Sequence, residues 1–207
     1  MHTDRPTSRP TQAERVQATR DRLLDSAAEL VIERGYHATT ATAIADRAGC
    51  SREMVRVRFG STLALMRELL VEEYQHAFRS RLPADATALE QLHDGVEQLA
   101  TMSSTAPTRL RAAYLLAFES APSAHELHDD VLPWLTLIET RFAELLNQAQ
   151  AEGSIVEVDS DEYARLLIAA ATGAAFLFAT SPTAENDPAS PLRTVLDSLL
   201  PSSRQQT

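Results

Sequence analysis

Residues 43–62 read AIADRAGCSREMVRVRFGST and place three arginines, Arg52, Arg56 and Arg58, within seven positions of a 207-residue chain whose formal charge is −10. Ile44 and Ala48 stand one helical turn apart before the AGCS break, and Val55 and Phe59 do so after it. Thr40 can cap the first run and Ser51 the second, since both carry side-chain oxygens that accept from a first-turn N–H. Two short helices joined by a tight glycine-containing turn describe a helix-turn-helix, whose second helix normally enters the major groove of DNA.

At about 100° per residue, Val55 and Phe59 fall about 40° apart and make a narrow apolar stripe for packing on the first helix. Arg52, Glu53, Met54, Arg56, Val57 and Arg58 fill the rest of the circumference. A DNA groove has a use for that mixture. Arginine pairs with guanine edges or phosphate, and Val57 or Met54 can meet a thymine methyl. Glu53 can accept from cytosine or hold an arginine in place, while Thr40 and Thr42 offer hydroxyls and free N–H groups to phosphate. A solvated helix of an ordinary bundle shows the same periodicity but leaves Val57 and Met54 without a purpose.

Outward from this stretch the pattern stays helical. Leu23, Ala27, Leu30 and Leu24, Ala28, Val31 repeat at helical spacing over about Arg15 to Arg34, with Gly35 as the stop. Beyond Ser61, amphipathic segments centred on Leu65, Leu92, Leu110, Ile138, Ala170 and Leu196 predict further helices, one of them from about His125 to Glu152 with a possible bend at Pro133. SIVEV, residues 154–158, is the one short strand candidate. With 44% hydrophobic and 23% charged residues, 5% aromatics and six glycines, the composition fits a helical globular protein.

Charge is unevenly placed. Residues 1–60 hold ten arginines against eight acids, a net +2, and residues 61–207 nine against twenty-one, a net −12. The two parts are therefore expected to face different partners. All nineteen basic residues are arginine, which coding bias explains as readily as function. One cysteine, Cys50, excludes an intramolecular disulfide framework and fits a reducing cytoplasm. Residues 1–12 are polar without an apolar core, which predicts a disordered arm rather than a secretory signal. The most apolar run, residues 166–179, is fourteen residues broken by Thr172 and Gly173. A spanning helix needs about 20, so a buried helix and no membrane contact are expected.

The segment LLDSAAELVIERGYHATTATAIADRAGCSREMVRVRFGSTLALMRELL, residues 23–70, resembles the DNA-binding domain of the TetR family of bacterial transcriptional regulators. The resemblance rests on Ala27-Ala28, Gly35-Tyr36, the T-x-x-x-I-A pattern from Thr40 to Ala45, the A-G-x-S pattern from Ala48 to Ser51, and Phe59. It covers about 50 residues as a connected pattern; the rest is similar only in helical layout. It implies an all-α fold of about nine helices: a disordered arm at 1–12, a three-helix helix-turn-helix domain at 13–61, a helical effector-binding and dimerisation domain at 62–202, and a disordered tail at 203–207. It further implies a cytoplasmic homodimer on a near-palindromic double-stranded DNA operator, most often a repressor, released by a small molecule.

Three positions depart from the family pattern. Arg56 stands where a tyrosine is usual, Arg58 where a histidine is common, and Thr62 where a lysine commonly opens the fourth helix; the small pair before Val55 is here Glu53-Met54. Phosphate contact is expected to have moved from Thr62 to Arg56 and Arg58. These departures also favour the competing class, a helical small-molecule-binding or enzymatic protein whose helix-turn-helix no longer reads DNA.

The family's last two helices pair with those of a partner. Here the helix over about 161–180 is apolar nearly all round, with Ala169, Ala170, Gly173 and Ala174 permitting close approach, and the final helix repeats apolar residues at i, i+3, i+4, i+7 and i+8. Leu166, Ala170, Gly173, Ala174, Leu177, Leu192, Val195, Leu196 and Leu199 are thus the expected dimer interface, an intramolecular core being the other possibility. The resemblance also implies an effector pocket, for which Met102, Tyr114, Phe118, Trp134, Ile138 and Phe142 are candidates at core-like spacing. His125 and His128 lie one turn apart near carboxylates, but no second cluster completes a metal site. Cys50 could serve a redox switch, although burial would raise its pKa. No nucleophile elbow, Walker loop or dinucleotide fingerprint is present. Neither cofactor nor enzymatic activity is expected.

Overall fold

The computed structural model describes residues 11–77, 82–83, 85–181 and 186–201, with side chains of 72–77 excluded. Nine α-helices and no strand are found among the described residues: α1 Gln12–Arg34, α2 Ala41–Arg47, α3 Glu53–Phe59, α4 Thr62–Ala77, α5 Ala88–Thr105, α6 Pro107–Glu119, α7 His128–Ala151, α8 Ser160–Thr180 and α9 Ser190–Ser198. The chain is all-α, as its periodicity predicts.

Helix starts follow local chemistry. Thr11 opens α1 with a capping box, its hydroxyl accepting from the Glu14 N–H at 3.2 Å and its own N–H donating to the Glu14 carboxylate at 2.6 Å. The helix therefore begins at Gln12, not Arg15. The expected arm otherwise lies in residues 1–10, and the expected tail at 203–207, both outside the described residues. Thr40 caps α2 by accepting from Ala43 N–H at 3.3 Å. Ser51 does not cap α3: its carbonyl accepts from Met54 N–H at 2.9 Å, and Arg52 occupies the cap position without a side-chain bond. A glycine at φ 65, Gly49, makes the intervening turn, a backbone angle that L side chains rarely adopt.

Farther on, Thr87 and Glu90 form a second capping box, Pro107 opens α6, and Asp159 accepts from the N–H groups of Asp161 and Glu162 at 3.1 and 3.0 Å. The long helix expected from His125 is divided: a 3₁₀ turn over His125–Leu127 leads into α7, which carries Pro133 inside it. SIVEV is not a strand. It runs as a connector in which Val156 N–H donates to Leu199 C=O at 2.9 Å.

Helix α6 is the hub. It packs against α1 and α4 on one side and α5 and α8 on the other, burying Leu110, Ala112, Ala113, Tyr114 and Leu116. Buried apolar residues continue without a break from α1–α4 into α5–α9, across the expected boundary at residues 61/62. Polar links reinforce that junction. Arg109 on α6 meets Asp25 on α1 at 2.6 Å, Glu119 accepts from Tyr36 N–H at 3.0 Å, and Arg67 on α4 meets Asp130 on α7 at 2.7 Å.

Candidate nucleic-acid interface and ligand cavity

Helix α3 is held from beneath and bare outside. Val55 is buried, and Phe59 is half-buried beneath the Arg20 guanidinium of α1, whose carbon lies 4.6 Å from the ring centroid. Arg20 also donates to Arg58 C=O at 3.1 Å and pairs with Glu68 on α4. One side chain thus ties the last turn of α3 to two other helices. Sequence periodicity could not find Arg20, because it stands thirty-eight positions before the carbonyl it meets.

The outer face carries Arg52, Glu53, Arg56 and Val57, all exposed, Val57 by 56%. Arg56 donates to Glu53 through Nε at 2.8 Å, and this hydrogen bond holds the Glu53 carboxyl below its ordinary range. Both groups stay charged near neutrality, and the arginine is fanned along the helix instead of free to wander. Two expected readers are placed differently. Met54 is half-buried against the core, because it neighbours Val55 on the inward side of α3, and it is not bare for a thymine methyl. Arg58 is half-buried as well.

Beside α3 runs a groove of about 630 Å³ lined by Ala41, Ser51, Arg52, Glu53, Val55, Arg56, Gly60, Ser61 and Thr62. It gathers five of the expected residues: Ser51, Arg52, Glu53, Arg56 and Thr62. Exposed Thr40 and Thr42 lie at the start of α2, with the Thr40 hydroxyl already engaged as the cap. Ser61 is an addition. Its hydroxyl accepts from Ala64 N–H at 3.0 Å and caps α4, a role its place just before the Leu65–Leu69 apolar run could have signalled. Hydroxyls, guanidinium groups and the open first turn of α4 form a surface suited to phosphate oxygens.

A second concavity lies inside the body. Helices α5, α6, α7 and α8, with Leu192 of α9, enclose a cavity of about 190 Å³. Tyr114, Phe118, Trp134, Ile138 and Phe142 line it, as expected of an effector pocket; Met102 does not, being buried elsewhere on α5. Desolvation pushes the Tyr114 phenol far above its usual range, so it remains an uncharged hydroxyl. Its ring meets Phe178 edge-on at 6.3 Å, and Phe118 likewise meets Phe176 at 5.8 Å.

The expected dimer residues divide. Leu166, Gly173 and Leu177 of α8 are exposed, with Ala170 partly so, and Ala169 and Phe176 extend the same face. By contrast Leu192 and Leu196 of α9 and Leu199 just past its end are buried within the protomer, Ala174 is buried too, and Val195 is half-buried. The physical reason is that α9 lies flat on α5 and α8, docked by Arg193 with Glu97 at 2.6 Å and Asp187 at 2.6 Å. Its apolar stripe is used up inside. Helix α8 spans twenty-one residues, more than the fourteen-residue apolar run suggests, and is long and apolar enough to cross a membrane by length and composition alone. Its inner face packs on α6, α7 and α9. Among the described residues no three His, Cys, Asp or Glu side chains converge as metal ligands, and Cys50 is a half-buried free thiol.

The chain thus joins a short helix-turn-helix head to a helical body with an internal apolar cavity. Residues 23–69 match the family described as bacterial regulatory proteins, tetR family. Solved structures share the fold along nearly the full length. TylP, a tetR regulator from Streptomyces fradiae, is 23% identical with a TM-score of 0.70, covering 93% of this chain and 90% of its own. Salmonella enterica GusR is 28% identical at a TM-score of 0.62, covering 88% and 95%. SmeT, solved as a complex with triclosan, is 23% identical at 0.69, covering 90% and 93%. No curated protein matches the sequence.

Proposed function

We propose that the protein is a homodimeric, ligand-responsive transcriptional repressor that reads a near-palindromic operator. The observation that carries this reading is the outer face of α3. Exposed Arg52, Arg56 and Val57 stand beside a groove of hydroxyls and guanidinium groups, in a head of net +2 on a body of net −12. Acids in the body repel DNA and the head attracts it, which sets the approach. Arg56 takes the place of the family's usual tyrosine contact, while half-buried Arg58 contributes less than its sequence position suggests.

Exposed Leu166, Ala169, Gly173 and Phe176 recur at intervals of three and four along α8, with exposed Leu177 beside Phe176. That stripe, with small residues at its centre, fits a second copy related by a two-fold axis. Two heads would then sit about 34–36 Å apart, one turn of DNA. A small molecule in the cavity releases the operator by favouring a conformer with mismatched heads, through its differential affinity for the two states. SmeT with triclosan supports the idea that such a body holds a small molecule.

The experiment is selection from a random duplex pool by the full chain, followed by binding at several salt concentrations. A selected palindromic sequence, with a log–log salt slope of about −0.9 per phosphate contacted, is the expected result. Affinity for the selected duplex no better than for random DNA would refute specific reading and favour a helical ligand-binding protein.

A further inference from the structure

The cavity's chemistry narrows what the protein senses, an inference that rests on reading that cavity as the effector site. An apolar cavity of roughly 150 Å³ stays dry and takes one benzene ring. At about 190 Å³, this one has room for a single ring with a short alkyl arm. Among the described residues, no charged side chain lines it. A carboxylate or ammonium would shed its water there and gain no counter-ion. Tyr114, Phe118, Trp134 and Phe142 supply ring faces and edges for an aromatic guest. Thr172 both lines the cavity and is exposed, so an aliphatic hydroxyl stands at the cavity's α8 edge. A guest can bury its ring and hydrogen-bond one uncharged polar group to the Thr172 hydroxyl, which offers no counter-ion to a carboxylate.

We propose that the effector is an uncharged single-ring aromatic molecule with a short alkyl arm and at most one polar group, seated with that group at Thr172, and that its carboxylated counterpart is refused. Trp134, the chain's single tryptophan, stands in the cavity wall and reports occupancy directly. The full-length protein is titrated with para-propylphenol and para-propylbenzoate, followed by Trp134 emission and by calorimetry. Saturable binding of the phenol is expected, with the benzoate weaker by about tenfold or more. Ala175→Phe and Ala117→Phe, which fill the cavity from α8 and α6, each remove the phenol response while helical content is retained. Benzoate binding as tight as the phenol, no saturable binding of either, or undiminished phenol binding in the folded filled variants overturns the proposal.

Operator selection by the ligand-free protein separates the two readings. A protein that selects an operator but binds neither probe keeps the regulator reading and loses this one. Phenol binding without operator selection leaves the ligand class standing and removes the regulator.

Discussion

Arg56 and Arg20 do different work on the same short helix. Arg56 points outward and is steadied by Glu53; Arg20 lies behind α3 and holds the Arg58 carbonyl and the Phe59 ring in place. Arg56→Ala should weaken binding to the selected operator by about 1–3 kcal/mol if it meets a base edge, with discrimination relaxed at one position. If it meets phosphate instead, the loss is uniform across sequences and the salt slope falls by about 1. Competition binding with single-base variants distinguishes the two, and unchanged affinity and slope would dismiss Arg56 as a contact. Arg20→Ala should reduce operator affinity by about tenfold, the size of one lost charge-assisted hydrogen bond, without altering the phenol titration of the distant cavity. Loss of both would mark a global folding defect. Gly35, at φ 76 and ψ 175, occupies a backbone region essentially closed to other residues, and an added Cβ would lie 3.1 Å from the Glu119 carboxylate. Gly35→Ala is expected to cost about 1–3 kcal/mol of stability in urea unfolding.

Two of the helices offer tests at the level of the element. The Thr40 cap supports α2 and is exposed on the head proposed to meet DNA, so two substitutions separate its roles. Thr40→Ala should destabilise the fold by about 1 kcal/mol. Thr40→Asp keeps a capping oxygen and the thermal midpoint but lowers DNA affinity, because its charge opposes phosphate. Equal DNA binding by Thr40→Asp and the parent protein would remove the start of α2 from the interface. At the other end, α9 is docked by Arg193 between Glu97 and Asp187, and the arginine holds the Glu97 carboxyl below its ordinary value. A carboxyl lowered in the folded state adds stability above its unfolded pKa and loses it as pH falls through the folded value. The contribution is therefore complete at neutrality, begins to fall near the ordinary carboxyl value of 4.5 and is lost as pH drops through the lowered folded value. Arg193→Ala should unfold more easily at pH 7 while converging with the parent protein in acid; a constant difference across pH would exclude this linkage.

At the scale of the molecule, the helix-turn-helix head, the cavity and the exposed stripe of α8 are joined through α6 and α8. Helix α6 supplies Tyr114 and Phe118 to the cavity and Arg109 to the α1 junction. Helix α8 lines the cavity with Ile168 and Thr172 and presents Leu166, Gly173 and Leu177 outward. Leu177→Glu should convert a dimer to a monomer in light scattering and weaken operator binding far more than binding to a half-site. A dimer that persists would place the two-fold contact elsewhere. Ligand can move the operator equilibrium only by its preference for one conformer, and full reversal from 1:99 to 99:1 requires about 5.5 kcal/mol. A cavity of this size and one guest ring make a smaller, graded response the natural expectation.

Local pattern alone determined much of this. The helix-turn-helix, the Thr40 cap, the Gly49 turn, the inward Val55–Phe59 stripe and the helical succession after Ser61 are all written in residues within a few positions of one another. Five of the six cavity candidates were legible for the same reason, since helical periodicity marks inward positions. Tertiary structure decided what periodicity cannot. It turned Met54 inward, brought Arg20 to the end of α3, and placed Ser61 and Thr62 beside Ser51. Inward spacing names a buried face without naming what buries it. The same apolar repeat is therefore consumed within the protomer on α9 and left bare on α8, and only the packing of α9 against α5 and α8 separates them.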